Sequence, residues 1–232
     1  MAMLVFRIVS KLSIVFFIIF TADAGTHKLD EAVKAMRSGD FAVAYCIMRP
    51  LAEYGDPDAQ YNIGWMYMNG YGLRVNDRLA LEWWQKASRQ RHADASFSIG
   101  MLYSMGEGNI PKDANKAIDY YLLALEQGHE DAITVLQSMI LRNDRVIRPR
   151  MHSIVSQHAD LFGVKRQVKA EKLNARNGAT LEDKIVTQLQ KGQTVLEINR
   201  QGKWSQVVIL DDENIDQTVW VYNPMLENIP QS

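Results

Sequence analysis

The sequence predicts a chain in two parts, a stack of helical-hairpin repeats followed by a small all-β module. Three observations predict it. First, residues 59–132 hold one pattern twice: Ala59, Gly64, Tyr67, Gly70 and Gly72 recur as Ala95, Gly100, Tyr103, Gly106 and Gly108, and Ala80, Trp84 and Ala87 recur as Ala117, Tyr121 and Ala124. The offset is 36 residues for the first group and 37 for the second, a period typical of stacked repeats. Second, the recurring residues fall at helical spacing. Third, from Val168 onward the apolar period changes to two.

Each copy divides into two helices. Ala59, Ile63 and Tyr67 stand at i, i+4, i+8 on one face, and Ala80, Trp84 and Ala87 stand at i, i+4, i+7. Gly64 lies beside the first face. Glycine inside a helix costs about 1 kcal/mol relative to alanine, so its place there predicts close approach of another helix. Gly70 and Gly72 end the first helix in a loop. Neither helix can bury its stripe alone, so each hairpin needs neighbours.

This pattern resembles the Sel1-like repeat, a relative of the tetratricopeptide repeat, through Ala59, Ile63, Gly64, Tyr67, Gly70, Gly72, Ala80, Trp84 and Ala87 and their second-copy equivalents. It departs at Arg91, where the family pattern has the glycine kept at Gly55 and Gly128. The resemblance implies an α/α superhelix and a protein-interaction role, with no reaction.

In chain order, residues 1–24 carry Arg7 and Lys11, an apolar core from Leu12 to Phe20, and a small-residue site at Ala22-Asp23-Ala24. That is the pattern of a secretory signal peptide; the competing reading is an uncleaved inner-membrane anchor. A cleaved signal would place the mature protein in a bacterial periplasm or outside the cell. The net charge of −1 gives no argument for nucleic acid, and contact with a membrane is expected only if the segment stays. The one cysteine, Cys46, excludes an internal disulfide, and its place in the apolar run Phe41 to Met48 predicts burial.

Residues 27–58 read as a degenerate first repeat. Leu29 to Arg37 is a short helix, Ser38-Gly39-Asp40 is a turn, and Ala44, Met48 and Leu51 take the places of Ala80, Trp84 and Ala87. Gly55-Asp56-Pro57 ends one helix and starts the next. Glu130 to Arg142 supplies a final capping helix, so the repeat domain is expected over 27–143.

Residues 144–167 read as a basic linker; across 145–172, Arg145, Arg148, Arg150, Lys165, Arg166, Lys169 and Lys172 stand against Asp160 and Glu171. The alternative is contact with an anionic surface. His152 and His158 are six residues apart and do not share a helical face, and metal ligation needs three or four converging groups. No metal or cofactor is expected.

Residues 168–228 form the β module. Val195 with Glu197 and Val207 with Ile209 alternate around the turn Gln201-Gly202-Lys203, and Thr218 to Tyr222 is another strand. Short strands at this spacing read as a small barrel or sandwich. Leu173, Asn174, Arg176 and Gly178, the turn Lys191-Gly192, and Trp204 and Trp220 resemble a bacterial SH3 domain. The overall expectation is therefore a multidomain α-plus-β protein: an α/α superhelix of Sel1-like repeats, then a small SH3-like β-barrel. The SH3 resemblance departs at the acidic loop Asp211-Asp212-Glu213-Asn214 and at Val219, where a glycine usually precedes the second tryptophan. It implies association with cell-wall peptides or partner proteins.

Chemistry is not indicated. No motif surrounds Cys46, and Gly70 and Gly72 end a helix instead of opening one after a strand, as a phosphate loop requires. A non-enzymatic protein is expected. With Ala59, Ile63 and Tyr67 buried, 100° per residue places Tyr61, Trp65 and Met68 on the opposite face, and the second copy places Phe97, Met101 and Met105 there. The capping helix places Thr134, Ser138 and Leu141 there. These residues either line a groove for a protein or peptide partner or complete the core. Two functions follow: an exported interaction scaffold binding through that groove, or a cell-wall protein binding peptidoglycan through its SH3-like domain.

Overall fold

The computed structural model describes residues 27–211 and 217–229. The signal segment and most of the acidic loop lie outside the described residues. By internal contacts the chain divides into two compact units, residues up to Asp113 with Glu126–Gly128, and Ala114–Leu125 with the chain from His129 onward. The helical repeats are followed by an antiparallel all-strand sheet.

Seven helices occupy the repeat region: α1 (27–37), α2 (Phe41–Glu53), α3 (Pro57–Asn69), α4 (Asp77–Arg89), α5 (Ala93–Met105), α6 (Ala114–Glu126) and α7 (Glu130–Leu141). The starts of α2 to α5 are set by side-chain caps. Asp56 accepts from Ala59 N at 2.8 Å, Asn76 from Leu79 N at 3.0 Å, and His92 Nδ1 from Ala95 N at 3.2 Å. Such caps satisfy backbone donors that the helix leaves open.

The ends of α1, α2, α4, α6 and α7 share one geometry. A residue with positive φ follows each helix: Gly39, Gly55, Arg91, Gly128 and Asn143. The next N–H then reaches back five residues, as in Asp56 to Leu51, His92 to Ala87 and His129 to Ala124. This closes the last carbonyls. Arg91, with φ 66°, keeps the turn without glycine.

In the first unit the core holds Met48, Ala52, Ala59, Ile63 and Met66. Trp84 is also buried. Tyr67 is half-buried against this core, and Ala52 takes the fully buried place expected of Leu51. Cys46 corrects the expectation of burial: it is exposed. The buried stripe of α2 is Ala44, Met48 and Ala52, and Cys46 is two residues, or 200°, away from Ala44.

A polar ladder repeats beside this core. Gln60 Nε2 donates to the Ala52 carbonyl and Gln90 Nε2 donates to Gln60 Oε1. In the next repeat Ser96 Oγ donates to Gln127 Oε1 and Gln127 Nε2 donates to the Ser88 carbonyl. The same sequence places are bridged each time, so the hairpins stack in one register. Buried polar groups that are fully paired specify such registers.

In the second unit, α8 (Arg148–Gln157) and α9 (Ala159–Phe162) lead into β1 (Val164–Val168), β2 (Lys172–Arg176), β3 (Ile185–Gln190), β4 (Thr194–Gln201), β5 (Trp204–Ile209), β6 (Val219–Tyr222) and β7 (Leu226–Asn228). All pairs are antiparallel, in the order β3-β2-β6-β5-β4-β1-β7. Gly202, with φ 58°, turns the β4–β5 hairpin, where Gln201 pairs with Trp204. Val168, Leu173, Ala175, Leu189, Val195, Val207, Ile209, Val219 and Val221 form the core.

The segment expected as a basic linker differs most. Ile147, Met151, Ile154, Val155, Ala159 and Phe162 are buried, and α8 contacts β5 while α9 contacts β1 and β4. His152 Nε2 lies 2.8 Å from the Leu210 carbonyl. Apolar residues at 147, 151 and 154–155 form a helical stripe that the basic residues around it obscured. Because the helices cover the sheet, β5 is buried at five successive residues, Ser205 to Ile209, and does not simply alternate. Strand pairing also begins at Val164, earlier than residue 168.

Among the described residues no helix is long and apolar enough to cross a membrane.

Candidate functional site

The six residues predicted to line a groove lie on α3 and α5. Trp65, Met101 and Met105 are 36%, 40% and 49% exposed. Tyr61, Met68 and Phe97 are half-buried.

Trp65 is held from one side. Its ring stacks on Tyr71 with centroids 4.7 Å apart, and Tyr71 stacks on Phe41 at 4.6 Å. Tyr71 lies between Gly70 and Gly72, in the loop after α3, and Phe41 opens α2. Offset aromatic pairs add about 0.5–1.5 kcal/mol beyond burial, enough to fix an exposed indole in one orientation. Sequence periodicity could not find Tyr71 and Phe41, because neither lies on the helix that carries Trp65; the only signal is an aromatic between two loop glycines.

Tyr61 stacks on the ring of His92 with centroids 4.7 Å apart. His92 Nδ1 caps α5, and its Nε2 lies 3.1 Å from Asp58 Oδ1. One imidazole therefore ties the start of α3 to the start of α5. Burial, reinforced by the charge of Asp94, pushes the Tyr61 phenol above its ordinary range against the opposing effect of Ser98. In the same half of α3, Trp84 Nε1–H donates to the Tyr61 carbonyl at 3.1 Å, fixing α4 on α3.

In the second unit the strongest electrostatic cluster surrounds Glu197, whose side chain is 8% exposed. Arg166 Nε donates to Oε2 at 2.9 Å, Arg200 Nε donates to Oε1 at 2.9 Å and its Nη2 to Oε2 at 3.0 Å, and Ser205 Oγ donates to Oε1. Burial alone would raise the carboxyl, but the bonds from Arg200, Ser205 and Arg166 outweigh it and hold it below the usual carboxylate range. Each carboxylate oxygen accepts two of these bonds, so the buried carboxylate is fully paired and its role is structural. Trp204, one of the two tryptophans of the C-terminal resemblance, meets Tyr222 edge-on at 5.8 Å, and Trp220 pairs with Arg176 across β6 and β2. Among the described residues no group of three or more His, Cys, Asp or Glu side chains could hold a metal ion.

The family model described as the Sel1 repeat matches residues 57–92 and 93–129. Each match begins at the first residue of α3 or α5 and ends in the turn around Arg91 or Gly128. The chain is similar to Protein SHC1 of Saccharomyces cerevisiae, 28% identical over 120 residues that cover 47% of this chain and 23% of that protein. It thus spans about a quarter of that curated relative. A Sel1 repeat protein from Oxalobacter formigenes shares 27% identity over 50% of this chain and 45% of its own, with a TM-score of 0.46. A protective antigen of uropathogenic Escherichia coli strains displaying an SLR fold shares 24% identity over 59% of this chain and 30% of its own, with a TM-score of 0.49. Sel1 repeat proteins generally mediate protein–protein interaction, and the family is generally non-enzymatic.

Proposed function

We propose that this chain is an exported interaction scaffold that captures a protein or peptide partner through the groove face of its Sel1 repeats, lined by Tyr61, Trp65, Met68, Phe97, Met101 and Met105. The observation supporting it is the exposure of Trp65, Met101 and Met105 at equivalent faces of successive repeats. Clustered exposed apolar side chains mark interaction sites, and methionine adapts to irregular partners. The stack on Tyr71 supports Trp65 as an anchor: a pre-oriented ring loses little freedom on binding. Export is read from residues 1–24. The C-terminal strands serve, in this proposal, as an SH3-like second module; the antiparallel order and the hairpin at Gly202 support that reading.

The test is a photo-crosslinking amino acid at position 101, compared with position 89 on α4, in cells exporting the full chain. The proposal expects a discrete adduct from 101 that is absent from 89 and lost with Trp65→Ala. Equal adducts at both positions would refute the groove. If the groove gives none while wild type and Trp65→Ala co-sediment equally with insoluble peptidoglycan, the C-terminal module is the main binding element.

A further inference from the structure

The face of the C-terminal sheet that points away from its core changes character partway across. Over β5 both faces are buried, because α8 lies against that strand. On β6 and β2 burial alternates instead. Val219, Val221, Leu173 and Ala175 turn into the core, while Trp220, Tyr222, Asn174 and Arg176 are half-buried and Lys172 is exposed. Opposed residues of an antiparallel pair share a face, as do residues two apart on one strand. Trp204 pairs with Tyr222, and Trp220 pairs with Arg176. The three rings and two cations therefore stand on one open face. Gln188 extends it onto β3, where its Nε2 donates to Asn174 Oδ1 at 3.1 Å.

The charge of this face is of one sign and is not neutralised. None of β2, β3 and β6 contains an aspartate or a glutamate. Glu171, the acid next to Lys172, is taken by Lys191 at 2.9 Å, and Lys172 enters no ion pair among the described residues. Arg176 Nη1 donates to the Asp183 carbonyl at 2.6 Å, a neutral acceptor. The Asp183 carboxylate is held elsewhere: Thr180 donates to its Oδ2 from N at 2.8 Å and from Oγ1 at 2.7 Å. A guanidinium carries several more donors than the one Arg176 uses.

We infer that this face binds a carboxylated glycan chain. The C–H faces of a sugar ring are apolar and weakly positive, so they stack on the negative face of an aromatic ring. Neighbouring strands lie about 4.8 Å apart, so a sugar stacked on Trp220 brings its carboxylate to Arg176 for a charge-assisted bond. Lys172 lies four residues back along β2, about 13 Å, in line for a second carboxylate. Between them Asn174 and Gln188 offer donor and acceptor side by side, the complement a sugar hydroxyl needs. Single-stranded nucleic acid also uses stacking rings with cations. Its backbone carries a phosphate at every step, however, and needs a denser basic track than Arg176 and Lys172 on a chain of net charge −1. This site belongs to the second module and does not depend on the groove of α3 and α5.

The test is affinity electrophoresis of the full chain in gels holding polygalacturonate, its methyl ester, or no polymer. The two polymers share their sugar rings and differ in charge. The acid polymer should retard the protein and the ester should retard it less, with the difference shrinking as salt rises. Lys172→Gln and Arg176→Gln should each weaken retention about threefold, and Trp220→Ala about tenfold or more. If Trp220→Ala unfolds the protein, Lys172→Glu serves instead, because that side chain is exposed. Trp65→Ala should be retarded like wild type, so this site and the groove stand or fall separately. Equal retardation by acid and ester, unchanged retention in the Arg176 and Lys172 variants, or no retardation at all overturns the inference. Tighter binding of oligothymidylate than of polygalacturonate at equal salt also overturns it and makes the face one for nucleic acid.

Discussion

The indole of Trp84 lies directly against Gly64. A Cβ placed on Gly64 would stand 2.6 Å from both Cδ1 and Nε1 of Trp84 and 3.1 Å from the Ala80 carbonyl oxygen. Two effects oppose each other in Gly64→Ala. Helix propensity favours alanine by about 1 kcal/mol, whereas overpacking a fixed core costs about 1–3 kcal/mol. Trp84 is 3% exposed and tethered through Nε1 to Tyr61, so it has little room to move. Gly64→Ala is expected to lower the melting temperature of the full chain. A raised melting temperature would mean that the α3–α4 contact yields and that the glycine is not there for close approach.

Arg91 holds the left-handed turn that Gly55 and Gly128 hold in the neighbouring repeats. Glycine adopts that conformation without a Cβ penalty. Arg91 Nη2 also donates to the Glu126 carbonyl at 3.2 Å, but the bond is exposed. Exposed hydrogen bonds contribute little, so Arg91→Gly is expected to stabilise by roughly 0.5–1 kcal/mol. Urea denaturation with an unchanged slope would check it, and a lower midpoint would show that the side-chain bond dominates.

Asn143 clasps the start of β6. Thr218 N donates to Asn143 Oδ1 at 2.7 Å, Thr218 Oγ1 donates to the same atom at 2.8 Å, and Gln206 Nε2 joins the network through Thr218 Oγ1 and the Leu141 carbonyl. Asn143 also has φ 53°, which asparagine tolerates. Asn143→Gly keeps that backbone and removes the clasp, leaving the Thr218 amide without its acceptor. The expected cost is about 1–3 kcal/mol. Amide exchange of Thr218 should quicken together with that loss; unchanged exchange would show that another group takes over the acceptor role.

Glu197 makes the second unit acid-sensitive. Its carboxyl is held below the ordinary range in the folded chain, so the charged form is favoured by folding. That stabilisation is present above the unfolded carboxyl value and is lost as pH falls through the folded one. Melting temperature should therefore hold steady through neutral pH and drop below about pH 4.5. Glu197→Gln should cost roughly 1–3 kcal/mol near neutrality, because the charge that pairs Arg166 and Arg200 is lost and one acceptor oxygen becomes a donor NH2. The variant should also show a shallower acid transition. An identical acid profile in the variant would place the sensitivity elsewhere.

Local pattern made most of the helical half legible. Ala59, Ile63, Ala80, Trp84 and Ala87 recur at helical spacing and are buried, because a residue's face on a helix depends only on its neighbours three and four places away. The same arithmetic placed Trp65, Met101 and Met105 opposite the buried stripe, and their exposure is read from the structure. Applied to α2, it would have placed Cys46 outside; the misreading came from treating Phe41 to Met48 as one apolar run when only Ala44 and Met48 of that run are buried. In the C-terminal half the β4–β5 hairpin was legible from alternation and Gly202.

By itself, then, the sequence determined the repeat period, the helices of the repeats, the β4–β5 hairpin, and which residues of α3 and α5 stand opposite the buried stripe, all of which follow from short-range spacing. Only the tertiary structure decided that Ile147, Met151, Ile154 and Phe162 cover the sheet, that Tyr71 and Phe41 support Trp65, and that Glu197 is surrounded by Arg166, Arg200 and Ser205. These contacts join residues far apart in the chain, where burial of apolar surface and pairing of buried charge select the partner and no local period records the choice.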